Sequence, residues 1–198
     1  MKKLFVAVLA LGFMVGCSEE PKQSATTQKT ESKSQPALTG RGGLQKCYIA
    51  ARGWAPDAKP FRLESQISAQ WKGQNGKAAA WRASFASVTL TGTRTFMWSG
   101  EEVTPGVQDA YSPSNTSTQV FDIGFLKIDS DQALEVAQKH GGDKILEQEK
   151  DTPVYYILDW DRAHNLLLWH VIYGPDPDDA KLRIAVNATS GDFLKVEK

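Results

Sequence analysis

The chain is dominated by short segments in which apolar and polar residues alternate. Between Phe61 and Trp71 every second side chain is predominantly apolar, and the same period recurs from Ala79 to Phe85. Side chains on a β-strand point alternately to its two faces, so this pattern predicts strands with one buried face. The segment 73–76 (GQNG) supplies a turn between the two runs. Together they predict an antiparallel hairpin.

Further strands are expected downstream, and two segments have a helical period instead. The expected strands span residues 93–98, 154–160, 166–173, 182–186 and 193–196. Apolar residues at helical spacing predict one helix over 44–55. A second helix is expected after Asp129, because Gln132 three residues later completes a capping box, and Gly141-Gly142 is a stop signal.

These elements predict an α+β fold, with antiparallel sheet packed by a helix on one face. A weak internal repeat accompanies them. Cys47 precedes Trp81 by 34 residues, and Glu135 precedes Trp169 by 34. Trp71 precedes Trp81 by ten residues, and Trp160 precedes Trp169 by nine. We therefore expect tandem α-β-β-β halves over residues 41–128 and 129–198.

The second half resembles a known family. Ser130–Ala137 (SDQALEVA), the strands after it and Val186–Phe193 (VNATSGDF) are similar to a PepSY-type domain, which ends in a strand, a small Ser-Gly turn and one more strand. The resemblance covers the last 70 residues or so. It implies a cystatin-like unit of exported proteins that binds or restrains partners such as peptidases. It brings no catalytic residues with it.

The N-terminus has the zones of an export signal. Lys2 and Lys3 precede an apolar run from Leu4 to Met14, which is 11 residues or about 16 Å of helix, against ~30 Å for a bilayer core. Residues 1–16 are thus predicted to be a signal peptide. The sequence Met14-Val15-Gly16-Cys17 resembles the lipobox of bacterial lipoproteins.

The lipobox resemblance implies a lipid attachment at Cys17. This residue would carry a diacylglycerol and become the acylated first residue, giving a membrane anchor that includes palmitate-type chains. Ser18 resembles the pattern of outer-membrane lipoproteins facing the periplasm, if the host is Gram-negative. The polar segment that follows has few apolar residues, so residues 17–40 are predicted to be the lipidated cysteine and a disordered tether.

Composition excludes other classes of protein. Lys and Arg total 23 against 23 Asp and Glu, and the pI is near 6.8, which argues against a nucleic-acid partner. Two cysteines are too few for a disulfide scaffold. A mean hydropathy of −0.38 argues against a protein with several membrane spans.

No residue pattern predicts catalysis, a cofactor or a metal centre. Cys47 falls on the apolar stripe of its helix, so we expect a buried structural thiol. The histidines, His140, His164 and His170, lack the spacing of a zinc site, and no G-x-S-x-G motif occurs. No catalytic, cofactor-binding or metal-binding residue is therefore predicted.

Five carboxylates leave one alternative open. They could converge at one end of the second sheet and bind calcium, but Asp is also a common turn residue, and solvated loop carboxylates are favoured. These residues are Asp159, Asp161, Asp176, Asp178 and Asp179.

The six tryptophans are expected to fill the core for the most part, with Trp98 as the most exposed. The sequence as a whole predicts a lipid-anchored envelope protein that is not an enzyme and binds a protein or peptide. A cell-envelope hydrolase using His164 or His170 with the Asp cluster, and a calcium-binding envelope protein, are the alternatives.

Overall fold

The computed structural model describes residues 36–116 and 118–197. The predicted signal peptide, Cys17 and most of the predicted tether lie outside these residues. The strands and helices follow in this order: β1 Leu38–Thr39, α1 Gly40–Trp54, β2 Lys59–Gln66, β3 Lys77–Ala78, β4 Ala80–Ser87, β5 Gly92–Ser99, β6 Glu102–Ala110, a 3₁₀ turn Ile123–Phe125, α2 Ser130–Ala137, α3 Asp143–Gln148, β7 Val154–Asp161, β8 Leu166–Tyr173, β9 Leu182–Asn187 and β10 Phe193–Glu197.

Eight strands form one antiparallel sheet in the order β10-β9-β8-β7-β2-β4-β5-β6. The strands β1 and β3 form a separate two-stranded pair. Each half of the chain contributes four neighbouring strands, and the antiparallel pair β2–β7 joins them, with Leu63 opposite Leu158. The α+β fold predicted from the sequence is confirmed, and both predicted halves share one sheet.

One face of the sheet is apolar along its whole width. Residues paired across neighbouring strands lie on the same face, so the strand register defines a row of eight side chains. This row reads Pro105, Phe96, Ala83, Leu63, Leu158, Trp169, Val186 and Phe193, and all of it but the exposed Pro105 at the sheet edge belongs to the core or packs against it. Most of it is completely buried, so the core lies between this face and α1 and α2.

The neighbouring row points to the opposite face and is mixed in polarity. It reads Thr104, Met97, Arg82, Glu64, Ile157, His170, Ala185 and Lys195. No helix among the described residues packs on this second face, since the sheet contacts of α1 and α2 run through the core side. We call it the open face.

The two helices start from equivalent positions. Thr39 and Asp129 are the N-cap residues, and the predicted capping box of Asp129 with Gln132 is present. Eight residues after each N-cap stand Cys47 and Ala137, both fully buried. The spacing to the tryptophans made Cys47 equivalent to Glu135. Counted from the N-caps, Cys47 is instead equivalent to Ala137, two residues later.

Several boundaries differ from the sequence prediction. The strand predicted from Phe61 to Trp71 is β2, which ends at Gln66; Trp71 lies in a turn beyond it. The sequence also missed β6, which contains Pro105 and a register shift opposite β5. A proline and a bulge are tolerated on an edge strand, since its outer side makes no ladder hydrogen bonds. The predicted tether overlaps β1 and the first residue of α1.

The second helix, α2, ends at Ala137, four residues before the predicted stop at Gly141-Gly142, and a π-helical turn over Gln138–Gly142 follows it. His140 and Gly141 leave helical geometry, and Gly141 has φ 119°, a conformation that glycine adopts without a Cβ clash. The chain then continues as α3, which the sequence did not predict. Within residues 36–116 and 118–197, no helix is long and apolar enough to cross a membrane.

Candidate functional site

Six charged side chains form a continuous line across the open face. In spatial order they are Arg82, Glu64, Arg62, Asp159, His170 and Glu197, and we call this line the charged ladder. It runs from β4 through β2, β7 and β8 to the last strand, β10. Cations and carboxylates alternate along it, so every charge has an opposite neighbour.

The first part of the ladder is centred on Glu64. Arg62 Nε donates to Glu64 Oε1 at 2.5 Å, and Arg82 Nε donates to Glu64 Oε2 at 2.8 Å. Burial alone would raise the pKa of this carboxyl, but the hydrogen bonds and charges of the two guanidinium groups hold it below its ordinary value. Arg62 Nη1 also donates to Asp159 Oδ2 at 2.6 Å, which links β2 to β7.

The second part is centred on His170, whose two ring nitrogens both face carboxylates. Its Nδ1 lies 2.6 Å from Glu197 Oε2, and its Nε2 lies 3.1 Å from Asp159 Oδ1. Ala185 stands between His170 and β10 in the register, and its small side chain leaves room for Glu197 to reach over β9. The last strand is thereby tied to the middle of the sheet.

The charge state of His170 follows from this geometry. Burial by itself lowers the pKa of the imidazole, but the hydrogen bonds and negative charges of Asp159 and Glu197 outweigh it and raise the pKa to about 9. At neutral pH the ladder thus holds an imidazolium between two carboxylates. Both ring nitrogens are donors in this state, so neither is free to accept a proton from a substrate.

A loop forms a wall beside the ladder. Residues 174–181 leave β8 at Gly174 and turn back toward β9. Tyr155 Oη donates to the carbonyl of Pro175 at 2.8 Å, and Arg183 Nη2 donates to that of Pro177 at 2.6 Å. These two hydrogen bonds fix the loop over the open face.

The loop and the ladder enclose a groove of about 540 Å³. Its floor includes Arg62, Glu64 and Arg82, and its wall includes Asp176 and Asp178. This volume falls within the range of ~300–1,000 Å³ that is common for binding sites. The groove is open to solvent on one side, and it offers charges of both signs and the apolar surface of Ile157.

The five carboxylates considered for calcium are distributed over separate contacts. Asp159 belongs to the ladder, whereas Asp161 Oδ2 lies 2.8 Å from Nδ1 of His164 in the turn after β7. Asp176, Asp178 and Asp179 lie in the loop wall, where Asp178 N–H donates to Asp176 Oδ1. Across the described part of the chain, no three His, Cys, Asp or Glu side chains form a group that could hold a metal ion.

The remaining candidate residues take packing positions. Cys47 is fully buried as predicted, and burial raises the pKa of its thiol to about 11. His140 stacks on Phe193 with ring centroids 3.8 Å apart. Trp98 was predicted to be the most exposed tryptophan, and this is wrong: it is 2% exposed, because its position in β5 pairs it with Trp81 on the core face.

Sequence reasoning missed the ladder. The alternation marked Arg62, Glu64 and Arg82 as the polar side of their strands but could not pair them with a second half. His170 and Glu197 lie 27 residues apart, with a whole strand between them. The one usable signal was the polar His170 inside the otherwise apolar run of β8.

Comparison with known proteins gives few matches. No family model matches the chain, and no curated protein matches it. Among solved structures, a candidate lipoprotein from Clostridium difficile 630 matches with a TM-score of 0.48 and 16% sequence identity. The match covers 76% of this chain and 91% of that chain.

Proposed function

We propose that the protein is an exported lipoprotein, anchored through Cys17, whose folded domain binds a protein or peptide on its open sheet face without catalysing a reaction. The observation that carries the proposal is the open face itself. Among the described residues, the eight-stranded sheet has helices on only one side, and its other side presents the charged ladder and a groove of about 540 Å³. A broad surface with alternating charges suits specific contact with a polar macromolecule.

The N-terminal sequence supports the proposed location. The basic, apolar and small-residue zones end at Cys17, as in the lipobox of bacterial lipoproteins. Ser18 after it favours the outer membrane of a Gram-negative envelope, with the domain facing the periplasm. Two or more acyl chains give stable anchoring, and the polar segment between anchor and domain gives the domain reach.

The PepSY resemblance of the second half supports a binding role over a catalytic one. Domains of that type are expected to bind or restrain partners such as peptidases. The geometry of His170 agrees with this, because a histidine held between two carboxylates is poorly placed to act as a general base.

The anchor is tested by labelling cells with radioactive palmitate. Wild-type protein and a Cys47→Ala variant should incorporate the label, whereas Cys17→Ser should not. The Cys47 variant is the matched control, since it removes the other cysteine of the chain. Equal labelling of the Cys17→Ser protein would overturn the proposed anchor.

The binding face is tested by capture from the native envelope followed by mass spectrometry. Met97 lies on the open face and is 36% exposed, so Met97→Arg should abolish capture of the partner. Ile49 on α1 is 67% exposed and lies away from the sheet, so Ile49→Arg is the matched control and should capture normally. If both variants lost capture of the partner, or if neither did, the open face would not be the binding surface.

A further inference from the structure

A second concave site lies on the other side of the molecule, beside α1. It is a cavity of about 570 Å³ between α1, the start of β2 and the segment 121–123. Its apolar lining comes from Leu44, Tyr48, Ala58, Pro60, Phe121 and Ile123. We call it the helix groove. It is distinct from the groove on the open face, with which it shares no lining residue.

The floor of the helix groove is rigid because its residues belong to the core. Leu44 is 1% exposed, and Ala58 and Phe121 are each 2% exposed. The backbone N–H of Phe121 donates to the carbonyl of Pro60 at 2.9 Å, which holds the segment 121–123 against β2. The Tyr48 ring packs on Phe85 with centroids 6.1 Å apart. An apolar ligand would thus enter a preformed slot, not displace a side chain from the core.

Three cations surround this apolar floor without a carboxylate partner. Arg41 donates to the carbonyls of Leu126 and Lys127, and Arg52 Nη1 donates to Tyr48 Oη at 3.1 Å. Within residues 36–116 and 118–197, neither these arginines nor Lys59 forms an ion pair. This contrasts with the charged ladder, where each cation has its carboxylate.

The two carboxylates at the groove are engaged with other donors. Asp57 Oδ1 accepts from Ser87 Oγ at 2.6 Å, and its Oδ2 accepts from the Thr89 N–H at 2.9 Å. Asp122 Oδ1 accepts from the Gly124 N–H at 2.7 Å. The lining has three cations against two carboxylates, and one of the latter has both its oxygens occupied. Hydrogen bonds from neutral donors leave the two carboxylates charged, so the lining has a net charge of +1, which favours an anion beside the apolar floor.

We propose that the helix groove binds an anionic amphiphile with a single acyl chain, its chain on the apolar floor and its carboxylate or phosphate near Arg52 and Lys59. A chain buried on Leu44, Phe121 and Ile123 gains free energy with each methylene removed from water. The acid group gains charge-assisted hydrogen bonds from an arginine and a lysine that form no ion pair among the described residues. The proposal is independent of the anchor and of the open face.

The probe is dodecanoate below its micellar concentration, titrated by calorimetry into the chain from Ser18 to Lys198. This piece keeps the compact unit Ser34–Lys198 complete, so it contains the whole described core. Octanoate should bind at least ten-fold more weakly than dodecanoate, because four fewer methylenes are buried. Dodecyltrimethylammonium, a cation of the same chain length, should also bind at least ten-fold more weakly.

Two variants test the position of the site. Gln45 lines the groove and is exposed, so Gln45→Trp should fill the slot and weaken dodecanoate binding ten-fold or more. The double variant Arg52→Gln/Lys59→Gln should weaken dodecanoate binding at least five-fold and leave dodecyltrimethylammonium unaffected or tighter. Lys46→Gln is the matched control, since Lys46 is exposed on the same helix but does not line the groove, and it should bind like wild type.

The outcomes separate this proposal from the proposed function. Failure of dodecanoate to bind, equal binding of the cationic amphiphile, or unchanged binding by Gln45→Trp would overturn the groove ligand. None of these results affects palmitate labelling at Cys17 or partner capture by the open face. Thermal unfolding of each variant checks that lost binding does not come from lost folding.

Discussion

Trp81 and Trp169 meet edge to face at the centre of the core, with ring centroids 6.4 Å apart and planes at 65°. Each indole N–H donates, at 2.9 Å, to the backbone carbonyl two residues before the helix of its own half: Trp81 to Leu38, and Trp169 to Ile128. The same hydrogen bond thus fixes, in each half, where the helix begins relative to the sheet. The two halves therefore share one equivalent indole-to-carbonyl hydrogen bond.

The helix starts are also bound to each other. The Gly40 N–H donates to Ser130 Oγ at 2.7 Å, and Ser130 Oγ donates to the carbonyl of Gly76 at 2.6 Å. The Arg41 N–H donates to Asp129 Oδ1 at 2.8 Å. Free N–H groups at helix N-termini require acceptors, and here the second helix supplies them to the first. This junction joins the start of α1 directly to the start of α2.

Removing one indole donor should destabilise the fold. Trp169→Phe leaves the Ile128 carbonyl without its partner and removes part of a fully buried ring, so we expect a loss of about 2–4 kcal/mol in the free energy of unfolding. Urea unfolding followed by circular dichroism measures it. Trp71→Phe, in the half-buried turn after β2, is the control and should cost less than about 1 kcal/mol. Equal costs would contradict the role assigned to Trp169.

Two glycines of α1 should respond oppositely to the same substitution. A Cβ on Gly43 would lie 2.3 Å from Trp81 Cγ, whereas a Cβ on Gly53 would meet nothing within 4 Å. Gly43→Ala should therefore destabilise the protein by about 1–3 kcal/mol through overpacking, despite the better helix propensity of alanine. Gly53→Ala should stabilise it by up to about 1 kcal/mol. Thermal unfolding of both variants decides the question; a stabilised Gly43→Ala protein would show that the helix can move away from Trp81.

Stability should depend on pH through His170. Its pKa is raised from 6.5 to about 9 in the folded protein, so its contribution is complete below about pH 6.5 and is lost as pH rises through 9. The shift corresponds to a contribution on the order of 3 kcal/mol. Urea unfolding at several pH values should show the difference between wild type and His170→Gln shrinking over this window.

The matched control for that experiment is His164→Gln, in the exposed turn after β7. It should keep the pH dependence of the wild type between pH 6.5 and 9. A direct NMR titration of His170 gives a second readout. An imidazole pKa at or below 6.5 would contradict the position of His170 between the carboxylates of Asp159 and Glu197.

The thiol of Cys47 should report on global unfolding. The side chain is fully buried, and burial raises the pKa of the thiol to about 11, so little thiolate forms near pH 8. In a Cys17→Ser chain, which keeps Cys47 as its single cysteine, we expect labelling by a thiol reagent to be slow without denaturant and fast in concentrated urea. Rapid labelling of the native protein would show that α1 opens locally.

The sequence by itself determined the local elements. Alternation in β4 and β7, the mostly apolar run of β8 and the capping box at Asp129 depend on near neighbours in the chain, and these features appear where they were predicted. The sequence did not predict β6, and it wrongly predicted that Trp98 is the most exposed tryptophan. Both depend on which strand lies alongside, and a local pattern contains no such information.

Tertiary structure alone decided how the halves join and what the faces present. The pairing of β2 with β7 brings Arg62 to Asp159 across 97 residues, and the reach of β10 over Ala185 brings Glu197 to His170. Such contacts depend on strand order and on the size of an intervening side chain. A period of two says which side of a strand is polar, but only the assembled sheet brings those polar sides into one charged ladder.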